Sequence, residues 1–143
     1  MILKNTDNTY IIEVRNTQTI DGITDVITER ASGKYYERGM KKYIMYQSEE
    51  EGVISSSTII VDDGSVTVKR TGAAKSTIVL DVMKKTSSLY ITPYGGITMH
   101  AETDKIISDL GKEGGRLRLC YTLTIQNEKY YNDMIINVNG DKR

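Results

Sequence analysis

Apolar and polar residues alternate strictly over the eleven residues from Arg116 to Gln126. The odd-numbered positions carry leucine, tyrosine and isoleucine, whereas the even-numbered positions carry arginine, cysteine, threonine and glutamine. Successive side chains of a β-strand point to opposite faces, while the roughly 3.6 residues per turn of a helix would scatter the odd positions around its surface. The pattern therefore predicts a β-strand with one buried face.

Turn signals that contain glycine recur along the chain at intervals of about ten residues, and β-branched or tyrosine-rich runs separate them. This spacing is typical of antiparallel sandwiches and barrels and not of βαβ units. It predicts an all-β, antiparallel fold of about eight to ten strands. The predicted strands span residues 9–20, 23–35, 41–49, 54–61, 66–71, 77–83, 88–94, 97–104, 116–126 and 130–138.

The segment Asp104–Gly111 is the one place where apolar residues have helical spacing. Ile106, Ile107 and Leu110 would share one face of a helix, but the glycine at the end of the segment would stop it within about two turns. We therefore expect at most one short helical turn here, or an irregular extension of the preceding strand.

The turn signal Asp63-Gly64 fixes the register of the two strands around it, because a two-residue loop determines which residues face each other. The resulting register sets apolar residues opposite each other and continues to a serine and an arginine: Val61 with Val66, Ile59 with Val68, and Ser57 with Arg70. The arginine is therefore predicted to point inward. A similar hairpin with its turn at Gly95-Gly96 would place six side chains on the inward face, namely Tyr90, Thr92, Tyr94, Ile97, Met99 and Ala101.

Composition limits the class of protein. The length of 143 residues predicts a single domain over residues 1–143, and the balance of 19 basic and 19 acidic residues gives no general attraction to nucleic acid or to an anionic membrane. One cysteine excludes an internal disulfide, and residues 1–10 lack a secretory apolar stretch, so we expect a cytoplasmic protein. Ten tyrosines accompany no tryptophan or phenylalanine, which predicts a partly polar or hydrated interior.

Several short motifs resemble the YwiB-like family of small uncharacterised bacterial proteins, over about residues 10–140. They are the run Val66–Gly72, Tyr90 with Tyr94-Gly95, Glu102-Thr103, Tyr121–Leu123, and the tyrosine-rich region of Tyr36, Tyr43, Tyr46 and Glu49. The resemblance implies a calycin-like, or lipocalin-like, antiparallel barrel and brings no assigned activity.

Candidate chemistry outside the barrel interior is sparse. His100 is the only histidine and is predicted to face outward, so no metal site with three or four protein ligands is expected. Cys120 is expected opposite Lys105, about 16 Å along the strand from His100, which is too far for a nucleophile and its base. The glutamates at 49–51 are read as a solvated hairpin tip, and the lysines and arginines near Tyr35 as a solvated surface rather than a nucleic-acid site.

Two classes of function remain. The first is non-enzymatic binding of a small polar or anionic molecule in the lumen, without a cofactor, with the candidate ligand-binding residues Arg70, Tyr90, Tyr94, Met99 and Tyr121. Arg70 alternatively closes one barrel end as a structural brace, since a buried guanidinium must find partners. The second class is a protein-interaction module whose lumen is filled by side chains.

Overall fold

The computed structural model describes residues 9–140, and within them it contains ten β-strands and no helix. The first eight residues, where the sequence predicts no secretory segment, and the last three lie outside this range. No described segment is a helix long and apolar enough to cross a membrane. The strands are β1 Tyr10–Ile20, β2 Ile23–Arg38, β3 Lys41–Glu50, β4 Val53–Asp62, β5 Ser65–Thr71, β6 Lys75–Asp81, β7 Thr86–Thr92, β8 Gly95–Gly111, β9 Gly114–Ile125 and β10 Glu128–Gly140.

The strands form a closed antiparallel barrel in which each strand pairs with its neighbours along the chain and β1 pairs with both β10 and β2. Closure satisfies strand edges that an open sheet would expose. The predicted all-β antiparallel fold is confirmed, and its ten strands lie in the expected range.

The segment from Asp104 to Gly111 belongs to β8 and is not helical. A register irregularity between Thr103 and Lys105 lets the strand continue after one extra residue, as a β-bulge does. The predicted irregular strand extension is therefore confirmed. Cys120 lies opposite Lys105, as expected from the sequence.

The two predicted hairpins have different outcomes. The Asp63-Gly64 hairpin has the predicted register, including Ser57 opposite Arg70. In the other, the turn consists of Pro93 and Tyr94, and both glycines belong to β8, where Gly95 pairs with Thr92. The predicted position of this turn is wrong by two residues.

The core fills one half of the barrel with aliphatic side chains. Nine of them have a relative exposure below 2%: Ile12, Ile44, Ile59, Leu80, Leu117, Leu119, Ile136, Val66 and Val138. They alternate with outward-facing polar residues, which is the pattern that burial of one sheet face requires. The buried polar side chains, which are the candidates for function, lie at the other end of the lumen.

Strand β2 changes partner at Gly33. Residues 23–33 pair with β1, whereas residues 33–38 pair with β3. A Cβ atom at Gly33 would clash with the Met45 carbonyl oxygen and lie 2.8 Å from Ile12 Cγ1, so a larger residue cannot take this place without displacing the backbone of β3. From Ile23 to Ser32, the edge of β2 on the β3 side has no strand partner among the described residues.

Candidate functional site

A row of inward-facing side chains follows the barrel wall across five consecutive strands. Tyr46 on β3 lies opposite Ser57 on β4, which lies opposite Arg70 on β5. The row continues through Ser76 on β6 to Tyr90 on β7. Polar groups thus replace the aliphatic residues of the core in this half of the lumen.

A second polar row completes the wall on the remaining side. Gln18 on β1 lies opposite Asn132 on β10, Asn132 lies opposite Tyr121 on β9, and Tyr121 lies opposite Thr103 on β8. Asn16 lies two residues before Gln18 on the same face of β1. The Asn132 carboxamide oxygen accepts hydrogen bonds from Asn16 Nδ2 at 3.0 Å and from Gln18 Nε2 at 2.8 Å. Its Nδ2 donates to the Tyr130 carbonyl at 2.9 Å, so this amide is held in one orientation.

An ion pair crosses the lumen at the rim of the polar half. Arg70 Nη2 donates to Glu29 Oε2 at 2.8 Å, while the Tyr46 hydroxyl donates to Glu29 Oε1 at 3.2 Å. The Arg70 side chain is 44% exposed and that of Glu29 is 24% exposed. Arg70 thus faces inward but is not buried. Its removal should therefore not carry the large loss of stability that removal of a buried charge would cause.

The two tyrosines deepest in the polar half are held in their neutral form. Burial raises the pKa of Tyr121 to about 12, and the nearby Tyr46 adds to the shift. Burial also raises the pKa of Tyr46, followed by the negative charge of Glu29. Both hydroxyls therefore remain hydrogen-bond donors at neutral pH, and the effect of Tyr46 on Tyr121 links the two polar rows.

Three buried polar atoms in these rows have no hydrogen-bond partner within the described protein. They are Asn16 Oδ1, Ser57 Oγ and Thr103 Oγ1. A buried polar group without a partner is costly, so such atoms mark places where water or a ligand completes the structure.

Of the five residues that the sequence singled out as ligand-binding candidates, four face the lumen and one does not. Arg70, Tyr90, Met99 and Tyr121 face the lumen, with Met99 and Tyr121 buried, Tyr90 half-buried and Arg70 at the rim. Tyr94 is 98% exposed in the turn between β7 and β8. Its predicted place in the lumen is wrong, because the turn lies at Pro93-Tyr94 and Tyr94 therefore belongs to no strand face.

Sequence reasoning missed Glu29, Asn16 and Asn132 as members of this site. A signal for Glu29 was present, since a two-residue turn at Asp21-Gly22 places it opposite Val14 and on the same face. Its contact with Arg70 joins residues 41 positions apart and depends on closure of the barrel.

A surface cleft of about 300 Å³ opens where β2 and β3 diverge. Its lining includes Tyr46 and Ser57 of the first polar row, together with Gly33, Lys34 and Gln47. The cleft therefore reaches the two buried polar side chains next to the Arg70–Glu29 ion pair.

The outer face carries two other contacts between side chains of types that are used in catalysis. Ser87 Oγ lies 3.0 Å from His100 Nδ1, and this pair is exposed on neighbouring strands. Cys120 Sγ lies 3.6 Å from Asp133, whose carboxylate is held by Arg118 at 2.8 and 3.0 Å. Burial raises the pKa of the Cys120 thiol, which opposes thiolate formation. Residues 9–140 contain no group of three or more histidine, cysteine or acidic side chains arranged to hold a metal ion.

Comparison with known proteins identifies the family. A family model described as "Domain of unknown function (DUF1934)" matches residues 12–136. The chain belongs to the DUF1934 family. This assignment agrees with the resemblance in the sequence motifs, which the relatives below confirm as YwiB-like.

Two comparisons place this DUF1934 chain beside a protein of Bacillus subtilis. It is 28% identical over 130 residues to the uncharacterized beta-barrel protein YwiB of strain 168, covering 90% of this chain and 92% of that protein. It also superimposes on the crystal structure of the ywiB protein from Bacillus subtilis with a TM-score of 0.85 at 27% identity, covering 94% and 93% of the two chains. The barrel is therefore a shared fold, and the relative is itself uncharacterised.

Proposed function

We propose that this protein binds a small polar or anionic molecule in the polar half of its barrel lumen, without a cofactor and without chemical conversion. The observation that supports this most is the group of three buried, unpartnered side-chain oxygens on Asn16, Ser57 and Thr103. Each unpaired group costs about 1–3 kcal/mol if it stays dry. A bound polar molecule, in place of lumen water, recovers that cost.

The polar half offers a ligand both neutral hydrogen-bond donors and a positive charge. Tyr46 and Tyr121 supply hydroxyl donors on the wall, and Arg70 supplies a cation at the rim that suits a carboxylate or phosphate. Barrels of eight or more strands can hold one small ligand, and the aliphatic half closes the opposite end of this lumen. The proposed site is thus apolar at the closed end of the lumen and polar towards the open end.

The same proposal includes the cellular location of the protein and its structural class. A chain with one cysteine and no disulfide suits the reducing cytoplasm of a bacterium. The ten-stranded antiparallel barrel supports a calycin-like, or lipocalin-like, comparison, with the ligand inside the barrel. Neither a nucleic-acid nor a membrane partner is part of the proposal.

A thermal-shift screen of a metabolite library tests ligand binding. Hits should raise the melting temperature of the parent and be reduced in Arg70→Met and Tyr121→Phe, since both side chains face the lumen. Tyr94→Phe is the matched control, because this exposed turn residue lies outside the site and should leave every hit unchanged. Hits that persist in both lumen variants, or no hits at all, would contradict the proposal.

A second function, as a protein-interaction module, is favoured by the open edge of β2. This edge carries the exposed apolar residues Ile23, Val26 and Ile27, and an unpaired strand edge is a template for pairing with another chain. A photo-crosslinking amino acid at Val26, compared with one at the outward-facing Thr98 of β8, tests it in host cells. A defined adduct at Val26 alone would favour this function, and equal patterns at both positions would exclude it.

A further inference from the structure

We infer that Glu29 is a built-in competitor for the ligand, and that the ligand it competes with carries a carboxylate. This inference rests on the proposed function and assigns the chemical class of the group that meets Arg70. The Glu29 side chain occupies the place of that group between Arg70 and Tyr46.

The geometry around Glu29 is that of a carboxylate-binding site already filled. One carboxylate oxygen accepts from Arg70 at 2.8 Å and the other accepts from the Tyr46 hydroxyl at 3.2 Å. The two donors come from β5 and β3, so their spacing is set by the barrel wall and not by the strand that carries Glu29. A carboxylate from outside can therefore use the same two donors when Glu29 leaves.

Glu29 can leave without disturbing the barrel. It lies within the part of β2 that pairs with β1 and has no ladder to β3, so its movement breaks no hydrogen bonds on that side. Its side chain is already 24% exposed. The cleft where β2 and β3 diverge is lined by Tyr46 and Ser57 and gives an incoming molecule access to the Tyr46 donor. The Arg70 donor is itself 44% exposed.

Charge favours a carboxylate over other anions. Exchange of one carboxylate for another leaves the Arg70 guanidinium compensated throughout, whereas a dianionic phosphate adds negative charge beside Tyr46 and Tyr121. A neutral amide offers only one acceptor oxygen to two donors. The wall beyond the rim then meets the remainder of the ligand with the unpartnered Ser57, Asn16 and Thr103 oxygens.

The expected consequence is that Glu29 weakens apparent affinity. A site that its own side chain fills most of the time binds an outside ligand in proportion to the fraction that is open. Removal of the glutamate carboxylate should therefore tighten binding of a carboxylate by on the order of ten-fold.

The test measures dissociation constants for the parent, Glu29→Gln, Glu29→Ala and Asp25→Asn. Asp25 is the matched control, because it lies on the same face of β2, carries the same charge and is exposed towards the tip of the hairpin. The probes are acetate, pyruvate, succinate and benzoate, with inorganic phosphate and acetamide for comparison. The Tyr46 ring reports where the probe binds. Its NMR signals are observed in protein with selectively labelled tyrosine and are assigned by comparison with Tyr46→Phe.

Tighter carboxylate binding in both Glu29 variants but not in Asp25→Asn, with movement of the Tyr46 signals, is the expected result. Equal gains in Asp25→Asn would reduce the effect to general electrostatics and overturn the inference. Larger gains for phosphate or acetamide would overturn the carboxylate assignment. Library hits that bind parent and Glu29 variants equally would leave the proposed lumen site standing and this inference refuted, whereas absence of binding by every probe and every library compound in all variants would refute both.

Discussion

The Arg70 guanidinium on β5 and the Glu29 carboxylate on β2 lie 2.8 Å apart although β3 and β4 stand between their strands in the barrel wall. The pair therefore reaches across the inside of the barrel and not along its surface. Because it keeps partial contact with solvent, it contributes little to stability.

Arg70→Ala should lower the free energy of unfolding by only about 1 kcal/mol, because the ion pair is well exposed and exposed pairs contribute little. Urea denaturation measures this, with Arg30→Ala as a control for the still more exposed pair to Glu13 at 3.2 Å. A loss above about 3 kcal/mol would mean that the guanidinium behaves as a buried charge.

Gly33→Ala should destabilise the barrel by about 1–3 kcal/mol, the usual cost of forcing extra atoms into a packed site. The added methyl group would clash with the Met45 carbonyl oxygen, where β2 changes partner. Gly111→Ala provides the control, since nothing lies within 4 Å of a Cβ there. Equal thermal midpoints for the two variants would show that β2 and β3 separate easily at Gly33.

What could be predicted from the sequence was local. The Asp63-Gly64 register followed from neighbouring residues, so Ser57 and Arg70 were correctly paired. The turn at Pro93-Tyr94 was misplaced because the following two glycines gave a stronger turn signal, although both belong to β8, where Gly95 has a positive φ that glycine permits. The contact between Glu29 and Arg70 could not be predicted, since it depends on the curvature of four strands and on the change of partner in β2.

The Asp133 carboxylate should make stability fall at acid pH. Hydrogen bonds from Arg118 hold its pKa below the usual value of about 3.9, so its contribution is present above that pH and is lost as the pH falls through the lowered pKa. Asp133→Asn should therefore flatten the acid side of the stability profile in urea unfolding below about pH 4. Asp109→Asn, a change at an exposed position of β8, is the control. Parallel acid limbs for parent and Asp133→Asn would contradict this assignment.

The Tyr121 hydroxyl should contribute to a loss of stability at alkaline pH. Burial raises its pKa to about 12 from a usual value of about 10, so the folded state holds the proton more tightly than the unfolded state does. That contribution is fully present below about pH 10 and is lost as the pH rises towards 12. Tyr121→Phe should remove part of the alkaline loss in denaturant unfolding from about pH 9 to 12, whereas the exposed Tyr94→Phe should not. If Tyr121→Phe lost stability with pH as steeply as the parent, the Tyr121 ring would ionise in the folded protein, and the polar half of the lumen would be more open to water than its burial indicates.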